Sequence, residues 1–168
     1  MGAPYFKIKK YCEQKNIHIF STNFSLYTDI SRRVMNIIIQ ESPSAEVYSV
    51  DEAFMDVTGI KDIEKFSNNL KDKIYKETKI PVSIGVGPTK ALAKIANNLA
   101  KKSKKSKGIV ILEEKRLQDV ALERTPVGKI WGIGRANSEK MNRLGIKTAK
   151  DFRDYSNTKL IQKIFTKI

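Results

Sequence analysis

Apolar and polar positions alternate along the chain with two different periods, and each period predicts its own kind of element. Residues 5–15 look like the end of a helix, and a period near 3.6 residues predicts amphipathic helices in residues 25–41, 62–78 and 89–102. Pro43 follows the second of these ranges and predicts where that helix ends. Short apolar runs beside turn residues predict strands at 45–51, 53–59, 81–88 and 108–112. The first two strands form a predicted hairpin that closes around Asp51 and Glu52.

The order of these elements predicts the fold class and a division of the chain. Up to about residue 112, helices and strands follow one another as expected for an α+β layer, with an antiparallel sheet and helices on one face. After that the pattern is entirely helical, so we expect a boundary near residue 113. The second part, about 55 residues, is short for a core of its own.

The charge of the chain is strongly positive and unevenly distributed. The net charge is +14; residues 90–168 hold 20 Lys and Arg against 7 Asp and Glu, whereas residues 1–89 hold 12 against 11. A one-sided positive field of this kind attracts polyanions, nucleic acid above all. The alternative is codon usage, because 25 of the 32 basic residues are Lys and an AT-rich genome favours Lys.

The apolar and cysteine content argues against a membrane or secreted protein. No apolar run is long enough for a transmembrane helix, and the first residues do not have the apolar region and cleavage site of a signal peptide. Cys12 is the only cysteine, so it cannot form an internal disulfide. A reduced, cytoplasmic compartment fits this content. His18, the only histidine, is predicted to lie at a strand edge rather than to bind a ligand.

Two adjacent carboxylates, Asp51 and Glu52, lie where the two strands of the predicted hairpin meet. Burial and mutual repulsion both disfavour two charged acids at such a place. A divalent cation between them removes both penalties, and oxygen ligands at a strand end suit Mg²⁺. Two such ions can clamp a phosphoryl displacement. The alternative is a solvated turn. Asp56 is interpreted as a structural acid near the following turn.

A second candidate site is the segment from Trp131 to Ile146, which has the pattern of a helix-hairpin-helix. Gly132 and Gly134 flank Ile133, which is expected to fill the core, and a helix follows over 135–144. Glycines let a backbone approach a phosphate, and helix N-terminal amides can bind it. Basic residues surround this turn: Lys129, Arg135, Lys140 and Arg143. The alternative is an ordinary pair of helices with a glycine turn, and Trp131 is predicted to be a core aromatic.

Four stretches resemble motifs of the Y-family DNA polymerases and occur in the same order. Their sequences are closest to those of the UmuC branch. They are FSTNFSLYTDISRRVM (20–35), YSVDEAFMDVTG (48–59), IPVSIGVGPTKALAKIANNLAKK (80–102) and VGKIWGIGRANSEKMNRLGIKTAKDF (127–152). The resemblance covers nearly the whole chain. It implies a remnant of the fingers in residues 1–17, part of a palm in 18–112 and an incomplete thumb with a helix-hairpin-helix in 113–168.

The resemblance also implies an activity and roles for single residues. The family reaction is template-directed nucleotidyl transfer with Mg²⁺ past damaged bases, in the SOS response to DNA damage. Asp51 and Glu52 match the metal ligands of the palm. Ser49 would lie on the same face of the strand as Asp51, near the primer end. Lys101 matches the lysine that contacts the incoming triphosphate. An equal alternative for Lys101 is a helix C-terminal lysine favoured by the helix dipole.

The sequence departs from the family pattern in several places. The strand with the first catalytic Asp, the steric-gate aromatic, most of the fingers and the little finger have no counterpart here. We therefore expect a fragment that binds DNA without sequence preference, is inactive alone, and exposes a strand edge or an apolar face of its sheet. UmuD-like subunits and a sliding clamp are possible partners of full-length members. The alternative is a non-catalytic DNA-binding module retained for its helix-hairpin-helix.

Overall fold

The computed structural model describes residues 3–42 and 44–165, and helices dominate them. The helices are α1 (Tyr5–Gln14), α2 (Phe24–Glu41), α3 (Ile63–Thr78), α4 (Lys90–Lys102), α5 (Lys115–Glu123), α6 (Arg135–Arg143), α7 (Ala149–Asp154) and α8 (Thr158–Phe165). The strands are β1 (Glu46–Val47), β2 (Ala53–Phe54), β3 (Ile84–Val86) and β4 (Ile109–Ile111). The helix that was predicted to end at Pro43 ends at Glu41, and Pro43 itself lies outside the described residues.

Side-chain caps explain why the longer helices begin where they do. Asn23 accepts a hydrogen bond from the Leu26 amide at 3.0 Å, and Asp62 accepts one from the Lys65 amide at 2.9 Å. Thr89 caps α4 in the same way. Each cap satisfies an amide that has no partner within the first helical turn. The residues that open α2, α3 and α4 are therefore fixed by local chemistry.

The strands form two separate sheets, so the prediction of one antiparallel sheet is wrong. β1 pairs with β2 in antiparallel register, Glu46 opposite Phe54 and Val47 opposite Ala53. β3 pairs with β4 in parallel, with Gly85 opposite Val110. Only two or three residues of each predicted strand are paired, and each described strand has one neighbour.

A cavity of about 190 Å³ lies beside β2 and β3, between the two sheets. Its walls come from α2, α3 and α4 as well as from both strands, and they are largely apolar: Val34, Ile38, Met55, Phe66, Leu70, Val82 and Ile84. Large apolar side chains are also exposed on and between α1 and α2, among them Phe6 at 76%, Phe20 at 87% and Phe24 at 78%. Each described strand has one paired neighbour, which agrees with the expected exposure of a strand edge; the exposed aromatic side chains lie on and beside helices, not on a face of either sheet.

Three buried clusters hold the described residues together. The first joins α2 to α3 through Val34, Ile37, Leu70 and Ile74. The second joins α4, the residue that follows β4, α5 and α7, through Ile95, Ala96, Leu112, Ala121, Leu122 and Ala149. The third surrounds α6 and consists of Val127, Ile133, Met141 and Ile146. The second cluster includes residues on both sides of position 113, so the helical C-terminal part shares a core with α4.

The segment between α1 and α2 corrects the prediction made for His18. Residues 17–23 form neither helix nor strand, and His18 is exposed, with its ring 6.5 Å from that of Phe20. In the described part of the chain no strand lies beside it, so it cannot be a strand-edge residue. None of the described helices combines the length and the apolar character needed to cross a bilayer.

Candidate functional site

The turn between β1 and β2 presents the two adjacent carboxylates. The backbone amides of Tyr48 and Ser49 both donate to the Glu52 carbonyl at 3.0 Å, which closes the turn around Val50 and Asp51. The hydroxyl of Ser31 on α2 donates to the Val50 carbonyl and ties the turn to that helix. Asp51 is exposed and Glu52 is half-buried. The predicted hairpin around the two acids is therefore present, although its strands are short.

Ser49 contacts Asp51 directly. Its hydroxyl donates to Asp51 Oδ1 at 2.7 Å, and the Asp51 amide approaches Ser49 Oγ at 3.4 Å. Ser49 lies in the turn rather than in β1, so the expectation of a shared strand face is wrong. The two side chains meet because the turn folds back on itself. The hydroxyl fixes one oxygen of Asp51 and leaves the other free to accept.

Glu52 is paired with a lysine that the sequence pattern did not single out. Lys94 on α4 donates to Glu52 Oε2 at 2.6 Å, and the exposed fractions of the two side chains are 23% and 26%. The Lys94 ammonium also lies 5.3 Å from the centre of the Tyr48 ring. One helical turn earlier, Lys90 pairs with Glu46 of β1. The sequence did contain a signal for these contacts. Lys90 and Lys94 are four residues apart, so they lie on one face of the helix that follows the hairpin.

Lys101 lies in the last turn of α4 and is exposed. It follows Lys94 by seven residues, which is two helical turns or about 10 Å along the axis. The two lysines therefore share one face of the helix. This position fits both interpretations of Lys101, a phosphate contact and a favourable charge at the helix C-terminus.

The donor set of the turn fits a hard divalent cation. Asp51 and Glu52 offer carboxylate oxygens, which Mg²⁺ prefers, and Mg²⁺ commonly takes one or two carboxylates and completes its shell with water or phosphate. Glu52 already attracts a cation, the ammonium of Lys94. Within residues 3–42 and 44–165, no three His, Cys, Asp or Glu side chains come together as a metal-binding group. The turn alone therefore offers an incomplete shell.

Asp56 has the structural role that the sequence predicted. Its Oδ1 accepts a hydrogen bond from the Thr58 amide at 2.9 Å, two residues along the chain. Hydrogen bonds from the Thr58 side chain and amide lower the pKa of the Asp56 carboxyl below its ordinary value of 3.8, against a small opposing effect of burial. The group therefore remains ionised and holds the turn after β2.

The second candidate site is the turn from Ile130 to Arg135, before α6. Gly132 has φ +90°, a conformation that glycine adopts without strain. Ile133 is buried with Val127 and Met141, so it does fill the core. Gly134 caps α6 without a side-chain hydrogen bond, which leaves the first amides of the helix available. The segment before the turn is a single 3₁₀ turn, Val127–Lys129, rather than an α-helix.

The basic side chains around this turn are at the surface. Arg135 has an exposed side-chain fraction of 94% and pairs with Glu139 at 3.0 Å. The other three are exposed as well: Lys129, Lys140 and Arg143. Glycine backbone and basic side chains are therefore accessible on one small part of the molecule.

Trp131 joins the two candidate sites. Its ring lies 5.4 Å from that of Tyr48 and 5.3 Å from that of Phe54, and its Nε1 donates to the Tyr48 hydroxyl at 3.1 Å. It is 37% exposed, so the prediction of a core aromatic is wrong. The ring packs on the carboxylate hairpin and is not part of the buried cluster around α6.

Comparison with known proteins identifies the family. Residues 1–98 match the model of the IMS family, described as the impB/mucB/samB family. The UmuC protein of Salmonella typhimurium is 41% identical over 168 residues, covering 98% of this chain and 40% of the relative. DNA polymerase IV of Clostridium perfringens is 34% identical over 140 residues, covering 81% of this chain and 38% of the relative.

Solved structures give the same result for the fold. DinB from Sulfolobus solfataricus superimposes with a TM-score of 0.73 at 30% identity, over 95% of this chain and 47% of that one. An insertion ternary complex of Dbh DNA polymerase gives a TM-score of 0.76 at 29% identity, over 97% and 46%. The chain thus spans less than half the length of the relatives that it matches. Because the family model covers more than half of the chain, the chain belongs to the impB/mucB/samB family.

Proposed function

We propose that this chain is the palm and thumb portion of a UmuC-like translesion DNA polymerase. In this proposal the turn at Asp51 and Glu52 holds Mg²⁺, and the turn at Gly132–Gly134 holds the DNA backbone. One observation carries the proposal: Trp131 joins the basic turn to the carboxylate hairpin through Tyr48 and Phe54. A polymerase needs this juxtaposition, because the duplex must be held where its primer end meets the metal ligands.

On the metal side, Asp51 and Glu52 would supply the oxygens and Ser49 would orient Asp51. When bound, Mg²⁺ would supply positive charge for the attacking 3′-hydroxyl and for the leaving pyrophosphate. Ser49 holds Asp51 Oδ1 at 2.7 Å, which restricts the carboxylate to a narrow set of orientations. We infer that Lys101 contacts the triphosphate, because it lies on the same face of α4 as Lys94.

On the DNA side, we infer that Ile130–Arg143 acts as a helix-hairpin-helix. The accessible amides at the start of α6 and the exposed basic side chains suit phosphate oxygens. Contacts of this kind read the backbone and carry no sequence information. DNA is therefore proposed to bind without sequence preference, at Lys129, Arg135, Lys140 and Arg143 and at the backbone of Gly132 and Gly134.

We further propose that the chain does not extend a primer by itself. Its described residues bring together only two carboxylates at the turn, and the family resemblance implies a third carboxylate at the same metal site. UmuD-like subunits and a sliding clamp are proposed as partners only for full-length relatives.

A non-catalytic DNA-binding module is the second candidate function. It is favoured by the absence of a three-ligand metal group in the described residues and by the excess of 20 basic over 7 acidic residues in 90–168. Both candidates predict DNA binding, and they differ in what Asp51 and Glu52 do.

Manganese calorimetry together with primer extension separates the two functions. The polymerase proposal predicts weak Mn²⁺ binding that the double change Asp51→Asn and Glu52→Gln abolishes, and no extension by the chain alone. Mn²⁺ binding that survives both changes would leave only the DNA-binding module. Template-dependent extension by the intact chain, lost in Asp51→Ala, would show that another carboxylate completes the site.

A further inference from the structure

Two lysines of α4 make matching contacts with the hairpin, but their surroundings differ. Lys90 pairs with Glu46 and lies 5.1 Å from the centre of the Phe54 ring. Lys94 pairs with Glu52 and lies 5.3 Å from the centre of the Tyr48 ring. The exposed side-chain fractions are 48% and 56% for the first pair, but 23% and 26% for the second. The pair at Glu52 is therefore the better shielded from water.

Lys94 occupies the place of a cation at a proposed metal ligand. Its ammonium lies 2.6 Å from Glu52 Oε2, so a divalent ion that bonds to this oxygen must displace it. The ammonium and a divalent ion bound to the same oxygen would repel each other strongly, because the pair is partly shielded from water. Lysine is a compact charge on a flexible stem, so it can move without rearrangement of the helix. In this position the ammonium also lies 5.3 Å from the centre of the Tyr48 ring, which attracts it as well.

We propose that Lys94 is an exchangeable counter-cation: it neutralises Glu52 while the turn holds no divalent ion, and it turns to phosphate oxygens when the ion and a nucleotide arrive. This inference rests on the proposed function, because it assumes that Glu52 is a metal ligand. After displacement, Lys94 remains beside the carboxylate turn, since the hairpin and α4 both line the cavity that it faces. An ammonium in that place would contact the phosphate groups that Mg²⁺ brings with it.

Other charged groups near this pair do not duplicate its role. Asp51 is held by the Ser49 hydroxyl, and Lys90 is occupied by Glu46 at the base of the hairpin. Lys101 lies about 10 Å further along α4. Lys94 is the α4 lysine whose ion-pair partner is itself one of the two adjacent carboxylates. Its neutralisation of Glu52 also explains how two adjacent acids are tolerated without a metal.

The experiment is a Mn²⁺ titration of the full chain by calorimetry, followed by a pyrophosphate titration at a fixed free Mn²⁺ concentration. Lys94→Met should bind Mn²⁺ more tightly, by about three- to tenfold, because the competing charge is gone. The same variant should bind pyrophosphate about tenfold more weakly in the presence of Mn²⁺. Lys90→Met removes the matching ion pair one turn away and should change neither affinity. Lys94→Arg keeps the charge and should lie close to the original chain in the Mn²⁺ titration.

Two controls make the outcomes distinct. If Lys94→Met lowers the melting temperature so far that it unfolds, Lys94→Gln, which keeps a polar end, replaces it. An Mn²⁺ affinity that is equal or weaker in folded Lys94→Met or Lys94→Gln, the variants that remove the charge, would overturn the inference alone. Mn²⁺ affinity that is unchanged by Asp51→Asn with Glu52→Gln would overturn the proposed metal site, and the inference with it.

Discussion

The indole Nε1 of Trp131 donates a hydrogen bond to the hydroxyl of Tyr48 at 3.1 Å, across 83 residues of sequence. Tyr48 adjoins the carboxylate turn, and Trp131 adjoins the glycine turn before α6. Their rings meet edge to face, with an interplanar angle of 86°, which is a favoured arrangement of aromatic pairs. This contact fixes the position of the proposed DNA-binding turn relative to the proposed metal ligands.

Replacing Tyr48 with Phe tests this contact with the smallest possible change. The hydroxyl that accepts from Trp131 is lost while the ring remains, so the free energy of unfolding should fall by about 0.5–1 kcal/mol. Trp131 is the only tryptophan, so its fluorescence during urea unfolding reports this change. Tyr75→Phe, on an exposed face of α3, is the matched control. Identical unfolding curves and emission maxima for both variants would show that the bond contributes nothing.

Replacing Gly85 with Ala should disrupt the packing of β3 on α4, the helix that carries Lys94. A Cβ at this position would lie 2.1 Å from the Asn97 amide nitrogen and 2.4 Å from the Ala93 carbonyl oxygen. Both are backbone atoms of a helix and cannot move aside, so the free energy of unfolding should fall by about 2 kcal/mol or more. Chemical unfolding measures this loss.

Gly134→Ala is the control for this steric effect. A Cβ there meets no heavy atom within 4 Å, and the residue has φ −77°. Its cost should be about 1 kcal/mol or less, since only a helix cap is altered. A Gly85→Ala chain as stable as Gly134→Ala would contradict the close approach of β3 to α4.

The C-terminal helices should lose stability in acid. Hydrogen bonds from Thr148 and Lys147 lower the pKa of Asp151, and hydrogen bonds from Arg153 lower the pKa values of Asp119 and Asp154, all from an ordinary value of 3.8. A lowered pKa in the folded state means that the stabilisation is complete above the unfolded value and is lost as the pH falls through the folded value.

Thermal melting at several pH values tests this directly. The melting temperature should change little between pH 7 and 5 and should fall below about pH 4. Asp151→Ala removes the acceptor of two backbone amides at the start of α7, so this variant should melt lower at pH 7 and lose less between pH 5 and 3. A melting temperature that rises on acidification would contradict the stabilising role of these ionised carboxylates.

Local patterns predicted the helices and the carboxylate turn well. The ranges 25–41, 62–78 and 89–102 differ by at most one residue at either end from α2, α3 and α4, because caps and periodicity act within a few residues. The turn at Asp51 and Glu52 is likewise closed by neighbours in sequence. These features depend on interactions that a short window of sequence contains.

Features that depend on distant contacts were not predictable in the same way. Lys94 and Glu52 are 42 residues apart, and Trp131 and Tyr48 are 83 apart. The strands were overestimated because a strand continues only where a neighbour accepts its hydrogen bonds, and no window of sequence shows which neighbours are present. For this reason two short sheets stand where one was predicted.

The proposed DNA-binding turn implies a specific electrostatic behaviour. Phosphate contacts release counterions, so the affinity for a primer–template duplex should fall with salt by about 0.9 log units per contact for each tenfold rise in salt concentration. Replacing Lys129, Arg135 and Arg143 with Ala should remove contacts and flatten the slope. Lys61, Lys65 and Lys76 are exposed on and beside α3, and replacing them removes the same charge from another surface.

The decisive measurement is therefore the salt dependence of duplex binding for three chains. They are the original, the glycine-turn variant (Lys129, Arg135 and Arg143 to Ala) and the α3 variant (Lys61, Lys65 and Lys76 to Ala). Fluorescence anisotropy with a labelled primer–template of arbitrary sequence gives the dissociation constant at each salt concentration. We predict weaker binding and a flatter salt slope for the glycine-turn variant, and an affinity and slope close to those of the original chain for the α3 variant. A glycine-turn variant that binds like the original, or no differently from the α3 variant, would contradict the placement of DNA at the turn that contains Trp131.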